Sequence, residues 1–275
     1  MKNLKKVWWK VIVIVVGSGL FDMILHGLLL PLDSSDLSSV KPSIFVKKGV
    51  LVLGIMGWEL LAFGVLALVF IMIQSNLPGK KGMKGFFYGL SFAGLYLIGM
   101  FESVLLWNST MMSEFFMGLG DFIPILLMGM LLGIFAGTDQ PQTGKERNLL
   151  AVLTIAFFYI LGRYFSNSVL HIESAYLTKP LGTLIWTISQ GIWVGIVYYI
   201  LQPGTKGKSL FSQALFFGTI IFGANWLVNH LFIAVIAEIS PDIFIRTGMD
   251  ILFTMLGVYV YQKLFTRKLS GLKVL

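Results

Sequence analysis

The stretch VIVIVVGSGLFDMILHGLLL, Val11 to Leu30, decides what kind of protein this is. It carries two ionisable side chains, Asp22 and His26, in an otherwise apolar run. A helix of about 20 apolar residues crosses a hydrocarbon layer of roughly 30 Å, and within lipid its backbone groups must be satisfied internally. The run therefore predicts a membrane-spanning helix. Strands of a membrane barrel would alternate polar and apolar residues, and this run does not.

Seven more such runs follow, at about 49–73, 86–107, 115–137, 149–172, 181–201, 210–236 and 244–265, and the first extends over about 7–30. Turn formers or charges bound them, as at Pro31-Leu32-Asp33-Ser34, Pro78-Gly79-Lys80-Lys81-Gly82 and Gln202-Pro203-Gly204. Of 275 residues, 56% are hydrophobic and 12% charged, about half the charged share of an average soluble domain. The basic flank Lys2, Lys5, Lys6 and Lys10 resembles a signal peptide, but no small-x-small cleavage site follows, so the first run reads as a retained helix. The chain contains no cysteine, which excludes disulfides, thiolate metal sites, iron–sulfur clusters and covalently attached c-type haem.

Placement of the basic residues gives a direction. With the N-terminus inside, the inner segments hold Lys2, Lys5, Lys6, Lys10, Lys80, Lys81, Lys84, Lys145, Arg147, Lys206, Lys208, Lys263, Arg267, Lys268 and Lys273, fifteen in all. The outer loops hold five: Lys41, Lys47, Lys48, Lys179 and Arg246. This bias predicts both termini on the cytoplasmic side. It also accounts for the net charge of +8 as a topology and lipid signal, so the expected partner is a bilayer, with other membrane subunits possible and nucleic acid excluded. The expected location is a bacterial or archaeal cytoplasmic membrane.

An internal repeat organises the spans. Gly17, Asp22, Leu25 and His26 on the first are matched by Gly162, Asn167, Leu170 and His171 on the fifth. Gly54-x3-Trp58-x15-Gln74 on the second is matched by Gly182-x3-Trp186-x15-Gln202 on the sixth. From Gly85 the copies run in step, pairing Phe87 with Phe216, Gly89 with Gly218, Gly94 with Gly223, Phe115 with Phe244 and Asp121 with Asp250. The predicted fold is thus all-α and polytopic, with eight transmembrane helices in two tandem four-helix repeats, 1–140 and 141–275. Four spans per copy give both copies one orientation, hence a pseudo-twofold axis along the membrane normal. Gly129, Gly133 and Gly137, and likewise Gly191 and Gly195, recur every four residues, the spacing that lets helix backbones approach in lipid. Asp121 extends the first stripe by the same step and is expected to face protein.

Ionisable residues inside spans are costly and mark candidate sites. At 1.5 Å per residue, Asp22, His26, Glu59, Glu102 and Asp121 fall roughly 6–15 Å below the outer boundary. Arg163, Asn167, His171, Asn225, Asn229, His230 and Asp250 fall in the same band of the second copy. Ser18, Asp22 and His26 line one helix face, and the repeat predicts the same stripe for Arg163, Asn167 and His171. An Asp one turn before a His fixes the imidazole tautomer and leaves the other nitrogen as ligand or proton carrier, so Asp22 and His26 are the candidate metal pair. The first copy is carboxylate-rich, whereas Asn167 stands for Asp22 and Thr187 for Glu59 in the second; one copy suits a proton or cation, the other an anionic or neutral group. Interhelical glue, worth about 0.6 kcal/mol per contact, is the competing explanation.

Around Gly17 to His26 the pattern Gly-x-Gly-Leu-Phe-Asp-x3-His resembles a small four-helix bacterial membrane family of uncharacterised function. That family has Phe-Asp-Gly followed by His and a second histidine cluster; this chain has Met23 after Asp22 and lacks the second cluster. The resemblance covers about ten residues and implies no activity.

Four functions are weighed. A transporter-type protein or accessory subunit would use the polar layer for a proton, cation or small polar ligand, although Pro124 is the one central helix break. A redox subunit would use histidines as haem ligands or the layer as a quinone pocket. A structural subunit needs packing alone. An intramembrane hydrolase or transferase ranks last, since no nucleophile motif, phosphate loop or His-Glu-x2-His is present.

Overall fold

A computed structural model describes residues 7–29, 41–107, 109–140 and 148–266. The basic residues Lys2, Lys5, Lys6, Lys145, Arg147, Arg267, Lys268 and Lys273, and the turn from Pro31 to Ser34, lie outside the described residues. Among those described, eight helices are long and apolar enough to span a membrane: α1 (Trp8–Leu29), α2 (Leu51–Ile73), α3 (Lys81–Leu106), α4 (Met111–Ala136), α5 (Leu150–Ser168), α6 (Pro180–Thr205), α7 (Leu210–Ile236) and α8 (Pro241–Phe265). Among the described residues the structure is all-helical, with no strands. Leu53, Leu60, Met72, Leu153, Phe157, Ile185 and Phe211 are exposed on the outward faces of these helices. Apolar surface on that scale has no place in water, and it marks a multi-pass integral membrane protein.

Helix neighbours follow a simple scheme. α1 packs on α2 and α4, and α3 on α4; α5 packs on α6 and α8, and α7 on α8. α3 meets α6, and α2 meets α7. Along these seams Leu66, Phe70, Phe92, Val194, Phe217, Phe222 and Trp226 form one buried apolar cluster. Tyr88 spends its hydroxyl on the Leu66 carbonyl at 2.6 Å, so a phenol is tolerated in the core.

The glycine spacing acts as its periodicity predicts. A Cβ on Gly129 would lie 2.5 Å from the Gly89 Cα, and one on Gly133 2.8 Å from the Gly85 Cα, so α3 and α4 touch backbone to backbone. Gly195 of α6 approaches the Val152 carbonyl of α5 in the same way, at 2.6 Å. Two irregularities were not visible in the apolar pattern. Residues Phe217–Gly223 of α7 form a π-helical turn, and Asn225 Nδ2 donates to the Ile221 carbonyl there at 2.7 Å. Such turns free carbonyls from the regular ladder, and a nearby side-chain amide satisfies this one.

α5 ends earlier than expected, at Ser168 rather than 172. His171 follows in a left-handed conformation with φ of +52° and is exposed. The stripe Arg163–Asn167–His171 is therefore cut after Asn167, and His171 leaves the candidate site. The helix stops because the chain turns back on itself: Ile172 N donates to the Ser166 carbonyl at 3.3 Å, a bond that the helical ladder does not make.

Candidate functional site

The candidate residues gather into two groups at the end of the bundle where α1 finishes and α2 begins. All four helices of the first half meet at the first. α1 supplies Asp22 and His26, α2 Glu59 and α4 Asp121, while Tyr96 of α3 lies within electrostatic reach of the three carboxylates. Asp22 is 1% exposed and Glu59 4%. His26 Nδ1 lies 3.1 Å from Asp22 Oδ2 and 3.2 Å from the Asp22 carbonyl oxygen. Both neighbours are acceptors, so the Nδ1 position carries the hydrogen. Nε2 makes no hydrogen bond among the described residues and faces Asp121 Oδ1, 3.8 Å away.

Local sequence makes room for this arrangement. A Cβ on Gly120 would lie 2.7 Å from His26 Cε1 and 2.8 Å from Nε2, so the imidazole stands where any larger residue would project. Gly19 does the same for α2, its absent Cβ being 3.4 Å from Glu59 Cβ. Pro124 of α4, one turn further on, has no N–H to donate to the Gly120 carbonyl. Glu59 faces Asp22 at hydrogen-bonding range, and apart from the His26 imidazole no donor reaches the Asp22 carboxylate or Glu59 Oε2 among the described residues. Among the described residues no lysine or arginine pairs with any of these carboxylates. The first group thus holds three acids and one imidazole, with no lysine or arginine beside them among the described residues.

The second group is balanced. Arg163 of α5 pairs with Glu102 of α3 at 2.9 Å and with Asp250 of α8 at 2.7 Å, and Arg246 of α8 meets the same Glu102 oxygen at 3.2 Å. Two cations face two anions. Trp226 donates to Asp250 at 2.8 Å, the Tyr159 hydroxyl lies 3.5 Å from the same oxygen, and the Trp186 ring lies 4.8 Å from the Arg163 guanidinium. Arg246 also donates to the Glu173 carbonyl. Glu102 crosses from α3 and, with Asp250, occupies Arg163, so that guanidinium is paired within the protein. Glu102 does not extend toward the membrane surface but turns inward. Arg246, counted by sequence among outer-loop charges, is a buried helix residue.

His230 stands beside this network and is not part of its ion pairs. The Thr247 hydroxyl donates to the Ile243 carbonyl at 2.6 Å and accepts from His230 Nδ1 at 2.6 Å, and the ring packs at a tilt of 56° against Trp226 with centroids 4.5 Å apart. The three imidazoles thus have separate surroundings: carboxylates for His26, exposure for His171, an aromatic and hydroxyl cage for His230. They form no facing pair of haem ligands. Asn225 links the halves instead, its carbonyl accepting from Tyr96 at 3.2 Å. Asn167 lines a narrow cleft with Glu102, Arg163, Thr183, Trp186 and Thr187, and Asn229 is half-buried on α7.

Residues that the sequence did not single out are Arg246, Tyr96, Tyr159, Trp226 and Thr247. Tyr96 and Tyr159 carried a signal, each being a phenol within an apolar span.

The fold and these groups define a multi-pass, all-helical membrane protein with a buried carboxylate–imidazole cluster. No family model matches the chain, and no curated protein or solved structure is significantly similar to it.

Proposed function

We propose that this is a transporter-type membrane protein, or a subunit of a membrane complex, whose first four helices hold a cation site made of Asp22, His26, Glu59 and Asp121. One observation carries the reading: three buried carboxyl groups gather around a single imidazole, with no lysine or arginine paired to them among the described residues. Burying unpaired charge in a low-dielectric interior costs several kcal/mol per ion, so the cluster requires a proton or metal cation to compensate it. Packing glue would not need that imbalance. The balanced second group shows what structural pairing looks like in the same protein.

A duplicated architecture belongs to the same proposal. Helix neighbours in the first half recur in the second, α1 with α2 and α4 against α5 with α6 and α8. Two of the contacts between halves, α3 with α6 and α7 with α2, exchange under the same correspondence. Trp58 donates to the Val228 carbonyl at 2.7 Å, and its counterpart Trp186 donates to the Ile98 carbonyl at 2.9 Å. These reciprocal bonds support a pseudo-twofold axis between two four-helix repeats, with both termini cytoplasmic by charge bias. One copy then keeps the acidic site while the other has become a salt-bridged support.

The test is flux in proteoliposomes. Purified protein should carry protons or divalent cations across the bilayer, and Asp22→Asn with Glu59→Gln should reduce the rate at least roughly tenfold. Flux indifferent to both substitutions overturns the proposal.

A further inference from the structure

The geometry points to a divalent first-row transition-metal ion as the occupant of this cluster, bound between His26 Nε2 and Asp121 and closed by Asp22 or Glu59. The inference rests on reading the cluster as a cation site and goes further by choosing among cations. One carboxylate oxygen each from Asp22 and Asp121 and one imidazole nitrogen already lie within 4.8 Å of one another. The separation between His26 Nε2 and Asp121 Oδ1 is the informative one. At 3.8 Å it exceeds a hydrogen bond, so a proton on either atom is not shared across it. Two ligand atoms at about 2.1 Å from one tetrahedral ion are about 3.4 Å apart, so a shift of a few tenths of an ångström seats a metal there.

The surroundings have the features of a metal-binding histidine. Nδ1 is held by the Asp22 carboxylate and carbonyl, which orients the ring and directs the Nε2 lone pair outward, the arrangement by which a second carboxylate supports a ligating imidazole. Glu59, 4% exposed and with Oε2 lacking a donor, provides the further buried oxygen that an acidic cluster alone would not. An imidazole beside carboxylates favours zinc, manganese or ferrous iron over calcium and magnesium, which prefer shells of oxygen alone. His26 itself remains 32% exposed, which gives an ion a way in.

The experiment uses untagged full-length protein, stripped with a chelator and titrated with Zn²⁺ by calorimetry and with Co²⁺ by visible absorption. One ion per chain is expected, and His26→Gln or Asp121→Asn should weaken it roughly tenfold to a hundredfold. Gly120→Ala, which removes no ligand but displaces the imidazole, should weaken it too. X-ray absorption on the unmodified Zn²⁺ protein should show imidazole scattering, a readout that does not depend on any variant folding. No stoichiometric binding, or affinity unchanged in His26→Gln, overturns the metal. If flux still depends on Asp22 and Glu59 in that case, the cation-site reading survives with a proton as its ion. Intact Zn²⁺ binding with indifferent flux has the opposite meaning: the metal stands and transport falls.

Discussion

Arg163 is 2% exposed and is the residue through which three helices communicate. Removing its charge leaves Glu102 sharing Arg246 and Asp250 with no cation within pairing distance. Deleting one partner of a buried pair is far more damaging than replacing both. Arg163→Met should therefore lower stability by about 3 kcal/mol or more, read as a reduced unfolding midpoint in detergent. Adding Asp250→Asn should restore part of the loss, because Arg246 and Glu102 then balance each other. An unchanged midpoint in the single variant would show the network to be ornamental. At this scale the sequence conveyed side-chain chemistry but few partners. Asp22 and His26 could be paired by eye because one helix carries both. Glu102 and Arg163 could not, since they lie on different helices in different halves and only tertiary packing joins them. Arg246 follows Pro241 so closely that it read as loop, although proline at a first helical position starts a helix.

Between elements, α3 and α4 approach backbone to backbone, and the contact is made by absence of side chains. A Cβ on Gly85 would fall 2.2 Å from the Gly129 carbonyl oxygen, so the neighbour that must move is backbone. Gly85→Val should cost about 1–3 kcal/mol or more, measured by resistance to denaturing detergent, whereas Gly57→Ala, with nothing within 4 Å of its added methyl, should be silent. This seam was legible because small residues every four positions carry their own geometric message. The end of α5 was not. Val169, Leu170 and Ile172 continue the apolar run past Ser168. No glycine or proline marks the stop, so hydropathy alone carried His171 into a helix it does not occupy.

For the molecule as a whole, direction and pseudo-symmetry have separate tests. A chain without cysteine is ready for site-directed labelling. Glu173→Cys should react with an impermeant reagent from the extracytoplasmic side and Lys206→Cys only after the membrane is breached; the reverse result would invert the proposed topology. Trp58 and Trp186 each contribute one hydrogen bond between the halves, so Trp58→Phe and Trp186→Phe should be alike in cost. Eight spans and their boundaries within a few residues were readable from apolar length, because lipid imposes a fixed thickness on any helix that crosses it. Which spans touch was not readable, since lipid-facing and protein-facing surfaces of such helices are nearly equally apolar.

The interlocked glycines of α3 and α4 also determine what can move. Two backbones in direct contact cannot slide without steric collision, so this pair behaves as a fixed wall, and Asp121 is mounted on it. His26 and Asp22 belong to α1, which rests against the wall through the notch left by Gly120. The side of the cluster that lies on α1 is thus the one not locked by backbone contact, and a methyl group at Gly120 would be enough to push it off the wall.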